Sequence, residues 1–161
     1  MFHPKNTGTQ VWKFCLCAAA ILLLSGCAAT IDLASSEDDA AAKLFLPPQG
    51  ESNIYVTRKS QLTGSAVLFQ VIVDGRVEGG IAPGTYHVVS VEPGPHSVSV
   101  TTSENQSTQK VDVVAGENYF FEVKPKMGWV AARAEVVQLT ESDGRAAIAE
   151  NSLAKGLQFD N

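Results

Sequence analysis

One thiol stands where a covalent chemistry is easiest to assign. Cys27 follows Ser25 and Gly26 at the end of the apolar run from Phe14 to Leu24. Small residues at that point let a peptidase close on the backbone. A cysteine thiol is a nucleophile that can take a diacylglyceryl group as a thioether. Leu24, Ser25 and Gly26 are therefore the expected peptidase-recognition residues, and Cys27 the lipid acceptor. The other candidates carry less. His87 and His96 are the histidines beyond this point, and Asp74 or Asp112 would complete a metal site with them. Such a site wants about four ligands at tight spacing, and neither His-x-His nor Cys-x-x-Cys occurs. His96 is in phase with Val98 and Val100, which predicts an inward, hydrogen-bonded histidine. A Ser-His-Asp triad would lack its Gly-x-Ser-x-Gly elbow. Gly79-Gly80 has no Gly-Lys-Ser/Thr after it to make a phosphate loop. Asp143-Gly144 lacks the oxygen ligands of a calcium loop. The sequon Asn105-Gln106-Ser107 reads as chance. Asp38-Asp39 are expected to be solvated, without the fixed geometry of acid–base work. No catalytic residue, metal or cofactor is expected.

The segment around the thiol has the three parts of a secretory signal. Lys5 and Lys13 supply positive charge, Phe14–Leu24 the apolar run, and Ser25-Gly26 the cut. A membrane span needs about 20 apolar residues, of which this run has roughly half, and after Cys27 come Ala, Thr, Asp and Ser. Met1–Ala28 resembles a bacterial lipoprotein signal, with Leu24-Ser25-Gly26-Cys27 as its lipobox. The resemblance implies that residues 1–26 are removed and that diacylglycerol and palmitate are attached to Cys27. Ala28, second in the mature chain, is similar to the choice that sends a lipoprotein to the outer membrane. The expected localisation is that membrane, lipid-anchored, with the domain facing the periplasm.

Processing changes the composition that matters. Cys15 and Cys17 leave with the signal, so no disulfide is expected even in an oxidising compartment. The 135 residues that remain suit one domain. They carry 10 Lys+Arg against 17 Asp+Glu, a net charge of −7. An acidic surface repels phosphate backbones and anionic headgroups, which excludes nucleic acid as the expected partner and argues against a second, electrostatic mode of membrane binding.

Residues 27–42 read as the lipid anchor and a flexible tether, small, polar and acidic. A tether of about 13 residues has an end-to-end distance of roughly 20 Å. The competing reading is a short helix over Ser36–Leu44, with Ser36 as its N-cap. Residues 43–156 are the expected domain. From Asn53 the apolar period is two. Ile54–Arg58 is a first strand; Val67, Phe69, Val71 and Val73 share a face of the second. Asp74-Gly75 is a hairpin turn returning through Arg76–Gly79. Strands follow at Thr85–Val91, His96–Thr101, Lys110–Val113, Tyr119–Val123 and Trp129–Leu139. About eight short strands with prolines at the junctions predict a mostly β fold, an antiparallel β-sandwich. Asp143 is placed to cap a short C-terminal helix ended by Gly156. Residues 157–161 read as a tail.

Five motifs then come in a recognisable order: Leu46-Pro47-Pro48-Gln49-Gly50, Ile54–Arg58, Val73-Asp74-Gly75, Pro83-Gly84-Thr85-Tyr86 and Pro93-Gly94-Pro95-His96. Their spacing resembles an uncharacterised family of bacterial lipoproteins, known as a domain of unknown function, from about Ala41 to Ile148. The Pro-Gly-x-His-x-Val segment is also similar to a β-hairpin repeat of bacterial surface proteins. Members usually carry a charged residue where this chain has Pro95, and Lys-Ala where it has Glu51-Ser52. The resemblance implies a prealbumin- or immunoglobulin-like envelope domain and transfers no activity.

Two classes of function stay open. One is a non-enzymatic binding or structural module at the outer membrane, taking an envelope protein, a glycan or the cell wall. The other is a periplasmic-facing hydrolase or metal-binding protein using His87 and His96 with a nearby carboxylate. Clustering of those groups in one pocket would favour the second. Leu68, Ile72 and Phe120 fall out of phase with the core face and mark a possible partner surface. The alternative is that Leu44, Phe45, Leu46, Ile148 and Leu153 lie across that face and cover it.

Overall fold

The computed structural model describes residues 29–156; the expectations for Leu24–Cys27, for residues 1–26 and for the tail 157–161 lie outside them. Among the described residues nine strands form two sheets. They are β1 (Ser52–Arg58), β2 (Phe69–Val73), β3 (Arg76–Ile81), β4 (Thr85–Val91), β5 (Gly94–Thr101), β6 (Gln106–Val113), β7 (Asn118–Lys126), β8 (Arg133–Leu139) and β9 (Ser152–Leu153). One sheet has the order β8-β7-β1-β4-β9, the other β3-β2-β5-β6. The two pack face to face as a sandwich, as the two-residue period predicts. Ile54, Val56, Phe69, Val71, Val98, Val100, Val111, Phe121, Val123 and Val136 fill the space between them.

Most pairings are antiparallel, but β1 runs parallel to β7, with Ile54 opposite Tyr119 and Thr57 opposite Glu122. β1 is buried along its whole length, because it is the central strand of its sheet and both of its faces are covered. Ile54 and Val56 enter the inter-sheet core, while Tyr55 enters a second cluster on the outer side.

That second cluster is built by the flanking segments. Helix α1 (Ser36–Ala42) precedes the sandwich and α2 (Glu141–Glu150) follows it. Tyr55, Tyr86, Phe120 and Ile148 are buried there, with Ala42, Phe45, Val88, Leu139 and Leu153 against them. Tyr55 stacks on Phe120 at 5.1 Å between ring centroids, and Phe45 meets Phe120 edge-on at 5.8 Å. Of the three apolar residues before β1, only Phe45 covers the face; Leu44 and Leu46 are exposed. Gly144 lets α2 sit directly on the Phe120 ring, since a Cβ there would overlap it.

Several boundaries differ from expectation for physical reasons. Of the two readings of residues 29–42, flexible tether or short helix, the structure has the helix, and the segment before it is joined to the domain. Ala29 N–H donates to Ser65 O at 2.9 Å, Leu33 bridges Ala154, and α1 follows. The α1 cap is Ser35, one residue earlier than predicted, with its hydroxyl accepting from Asp38 N–H. In α2 the cap is Thr140, not Asp143. Asp143 sits three residues on, where its carboxylate accepts from Thr140 Oγ1 and its N–H donates back, a reciprocal arrangement at a helix start. That helix ends at Glu150, and Asn151, not Gly156, is its C-cap. β3 runs on to Ile81 past a register shift at Val71/Ile72. β8 begins at Arg133, so Trp129 and Val130 lie in a loop.

Candidate functional site

The residue types singled out for chemistry are distributed over both sheets. His87 lies on β4, facing the inter-sheet space. It is buried, and its Nε2 lies 2.9 Å from Gly80 O on β3. Burial pushes its pKa below the ordinary histidine value, outweighing the Gly80 carbonyl and the charge of Glu78. Gly79 makes the room: its φ is +145°, and a Cβ there would be 3.0 Å from the His87 ring. The Gly79-Gly80 pair thus seats a histidine; it does not cradle a phosphate. A cavity of about 470 Å³ opens beside it, bordered by Asp38, Glu78, His87, Val88 and Lys155.

His96 lies on β5, at the end of the core row that Val98 and Val100 continue. Its Nδ1 is 2.6 Å from Asp74 Oδ2, and its Nε2 is 2.7 Å from Glu92 O. Both ring nitrogens face acceptors, so the imidazolium satisfies both. Partial burial opposes the charge, but the bonds to Asp74 and Glu92 and the charges of Asp74 and Asp112 outweigh it and raise the pKa. Asp74 is in the left-handed region (φ 48°), as is Gly75 (φ 80°), the conformation of a tight hairpin turn. This points the Asp74 carboxylate at β5, where Oδ1 also accepts from Ser97 N–H at 2.8 Å. Two motifs that are 20 residues apart along the chain, Val73-Asp74-Gly75 and Pro93-Gly94-Pro95-His96, are therefore one staple between the β2–β3 turn and the start of β5, where the chain has crossed from the five-stranded sheet. It borders an open basin of about 410 Å³ with Lys110 and Asp112.

The two histidines line different cavities on different sheets. Among the described residues no three His, Cys, Asp or Glu side chains converge on a point that holds a metal. The clustering that a hydrolase or metal centre requires is not formed by His87 and His96.

Arg58 was not singled out from sequence. It is fully buried at the end of β1, and among the described residues its hydrogen-bond partners are backbone carbonyls. Nη1 donates to Val67 O (2.6 Å) and Ile81 O (3.1 Å), Nη2 donates to Gly64 O (2.7 Å), and the guanidinium lies 4.4 Å over the Phe69 ring. Desolvation lowers its pKa to about 10, so it stays charged at neutral pH. The carbonyls it gathers belong to the loop 59–68 and to β3, so the loop is shaped from inside. Arginine inside a strand of alternating apolar residues was the only signal available.

The three residues of the expected partner surface do not share a surface. Phe120 is buried beneath α2 and Phe45. Leu68 is half-exposed and lies beside Gly80 and Ile31 at the other sheet. Ile72 is partly covered on the outer face of β2.

This architecture defines a class: a small β-sandwich domain with a flanking helix on each side of its strands. Residues 48–136 match the model of the family described as protein of unknown function (DUF2846). The chain belongs to that family. It is also similar to an uncharacterized protein of Haemophilus influenzae, 31% identical over 134 residues that cover 83% of this chain and 79% of the relative. The family span holds the sandwich from the approach to β1 into β8. Phe45, Gly144, Ile148 and Leu153, which seal the second cluster, lie outside it.

Proposed function

We propose that the chain is a lipid-anchored envelope lipoprotein whose β-sandwich serves as a non-enzymatic binding or structural module on the periplasmic side of the outer membrane. The observation that carries the anchor is Leu24-Ser25-Gly26-Cys27 at the end of the Phe14–Leu24 run. Separation of His87 from His96, each engaged within the fold, supports a module over a hydrolase. The partner is an envelope protein, a glycan or the cell wall, met at the outer face of the four-stranded sheet around Leu68 and Ile72, over which neither helix packs. Cys27→Ala should abolish incorporation of labelled palmitate and leave the signal uncut. Labelled palmitate in that variant would overturn the anchor.

A further inference from the structure

Among the described residues the four most exposed large apolar side chains, Leu62, Met127, Trp129 and Val130, lie at one end of the sandwich; Leu44, Leu46 and Val114, less exposed, lie elsewhere. β1 and β7 are parallel, so they finish at the same end, and β7 runs four residues beyond Glu122, the partner of Thr57. The loop 59–68 leaves β1 there and the loop 127–132 leaves β7 there. The first loop packs on the end of β7, from which the second departs: a Cβ on Gly64 would lie 3.1 Å from Pro125, and Lys59 Nζ reaches Glu122 at 3.5 Å. Leu62 is 93% exposed on the first loop; Met127, Trp129 and Val130 are 94%, 96% and 95% exposed on the second.

Neither loop is loosely held. Arg58 binds the Gly64 and Val67 carbonyls from within. The Glu104 carboxylate accepts from the N–H groups of Trp129, Val130 and Ala131. Those backbone bonds point the Trp129 and Val130 side chains away from the domain.

Two more observations say what meets this end. Ala29 N–H is bound to Ser65 O of the first loop, and Cys27 is two residues upstream. Two residues span at most about 7 Å. A lipid on Cys27 is therefore leashed to this end of the domain. The local charge also differs from that of the whole chain. No acidic residue occurs between Glu51 and Asp74. Lys59, Lys124, Lys126 and Arg133 ring the end, while Glu122 pairs with Lys59 and Lys124, Glu135 with Lys126, and Glu104 is spent on amides.

We propose that this end rests in the headgroup layer of the bilayer that holds the Cys27 lipid, with Trp129, Met127, Val130 and Leu62 at the interface. Tryptophan favours that layer, and acyl anchoring is strengthened by a second apolar signal. The sandwich then stands upright on the membrane, and the Asp74–His96 staple at the far end faces the aqueous compartment. The inference rests on the lipoprotein reading.

The mature chain keeps one tryptophan, Trp129, because Trp12 precedes Cys27. The lipidated protein is purified and reconstituted into vesicles of phosphatidylethanolamine and phosphatidylglycerol. Trp129 emission should shift to shorter wavelength and lose intensity when the acyl chains carry bromine. Leu62→Asp, at an exposed position that folding does not need, should reduce both effects. Mass spectrometry of the same sample reads the acyl group on Cys27. An acylated Cys27 with water-like, unquenched Trp129 overturns the docking and leaves the anchor standing. A protein without the acyl group overturns both. Unquenched Trp129 together with capture of a protein by a photoreactive residue at Met127 overturns the bilayer in favour of a protein partner.

Discussion

Both sheets of the sandwich have an outer face turned from the shared core, yet only that of the five-stranded sheet is sealed. On the five-stranded sheet, Tyr55, Tyr86 and Phe120 project outward and are covered by Phe45, Ile148 and Leu153. Polar contacts fix the cover as well: Tyr55 OH donates to Ala42 O, and the Asp39 carboxylate accepts from Tyr86 OH and Leu153 N–H. On the four-stranded sheet the outward positions are Gln70, Ile72, Ser97 and Ser99 beside Thr108 and Lys110, and Ser99 and Thr108 are hydrogen-bonded to each other. Large aromatic rings demand a lid, since each loses roughly 1.5–3 kcal/mol if left in water. A face of serine, threonine, glutamine and lysine, with Leu68, Ile72 and Val77 as its aliphatic residues and no aromatic ring, does not. The sequence of each strand thus decides whether its flanks must fold back over it.

The contrast is open to mutation. The largest effect is expected for Phe120→Ala, which empties the middle of the sealed cluster and should cost about 3–5 kcal/mol in chemical denaturation. A near-neutral result would mean that the lid is not closed. Gly144→Ala comes next. The added methyl has to push α2 off Phe120, and a loss of about 1–3 kcal/mol is expected, although alanine is the better helix former. Gain of stability would show that the close approach is not formed.

Smaller, but distinctive, is the pH response of the two histidines. The pKa of His96 is raised above 6.5 by its partners, so its contribution is complete below 6.5 and is lost as pH rises through the raised value. The pKa of His87 is lowered from 6.5 by burial, so its contribution is complete above 6.5 and is lost as pH falls toward the lowered value. His96→Gln should flatten the alkaline side of a plot of melting temperature against pH, and His87→Gln the acid side. Exchange of those two phenotypes would reverse the assignment of charge at both sites. The smallest effect is expected for Ile72→Ser on the uncovered sheet, within about 0.5 kcal/mol of the parent, with loss of a crosslinked partner if that face is the interface. A loss of stability like that of Phe120→Ala would show that this face, too, has a lid.

The two-residue alternation of Val67–Val73, His96–Val100 and Val111–Val113 is local, so the strand content and the sandwich are legible in it. The Asp74-Gly75 turn is legible for the same reason: positive φ at both positions is a property of the residues that occupy them. Cap positions were displaced by one residue at Ser35 and by three at Thr140, because serine, threonine and aspartate at neighbouring positions offer equivalent oxygens and only the path of the incoming chain selects one. The parallel pairing of β1 with β7 was not legible, since register between strands 60 residues apart leaves no local mark. Nor was the staple. The sequence contains Asp74 and His96 in two motifs, but their meeting depends on which hairpins become neighbours. The same holds for the supposed single surface of Leu68, Ile72 and Phe120. Periodicity correctly put each of them opposite its strand's core face. Only tertiary structure assigned those faces to two different sheets, one covered and one not, because a side chain's phase along its own strand says nothing about what lies across from it. What the sequence determined alone is what covalent order determines: a thiol two residues before the point where the chain joins the domain. Which end of the domain that point occupies, and that Trp129 and Leu62 share it, followed from the packing of β1 against β7.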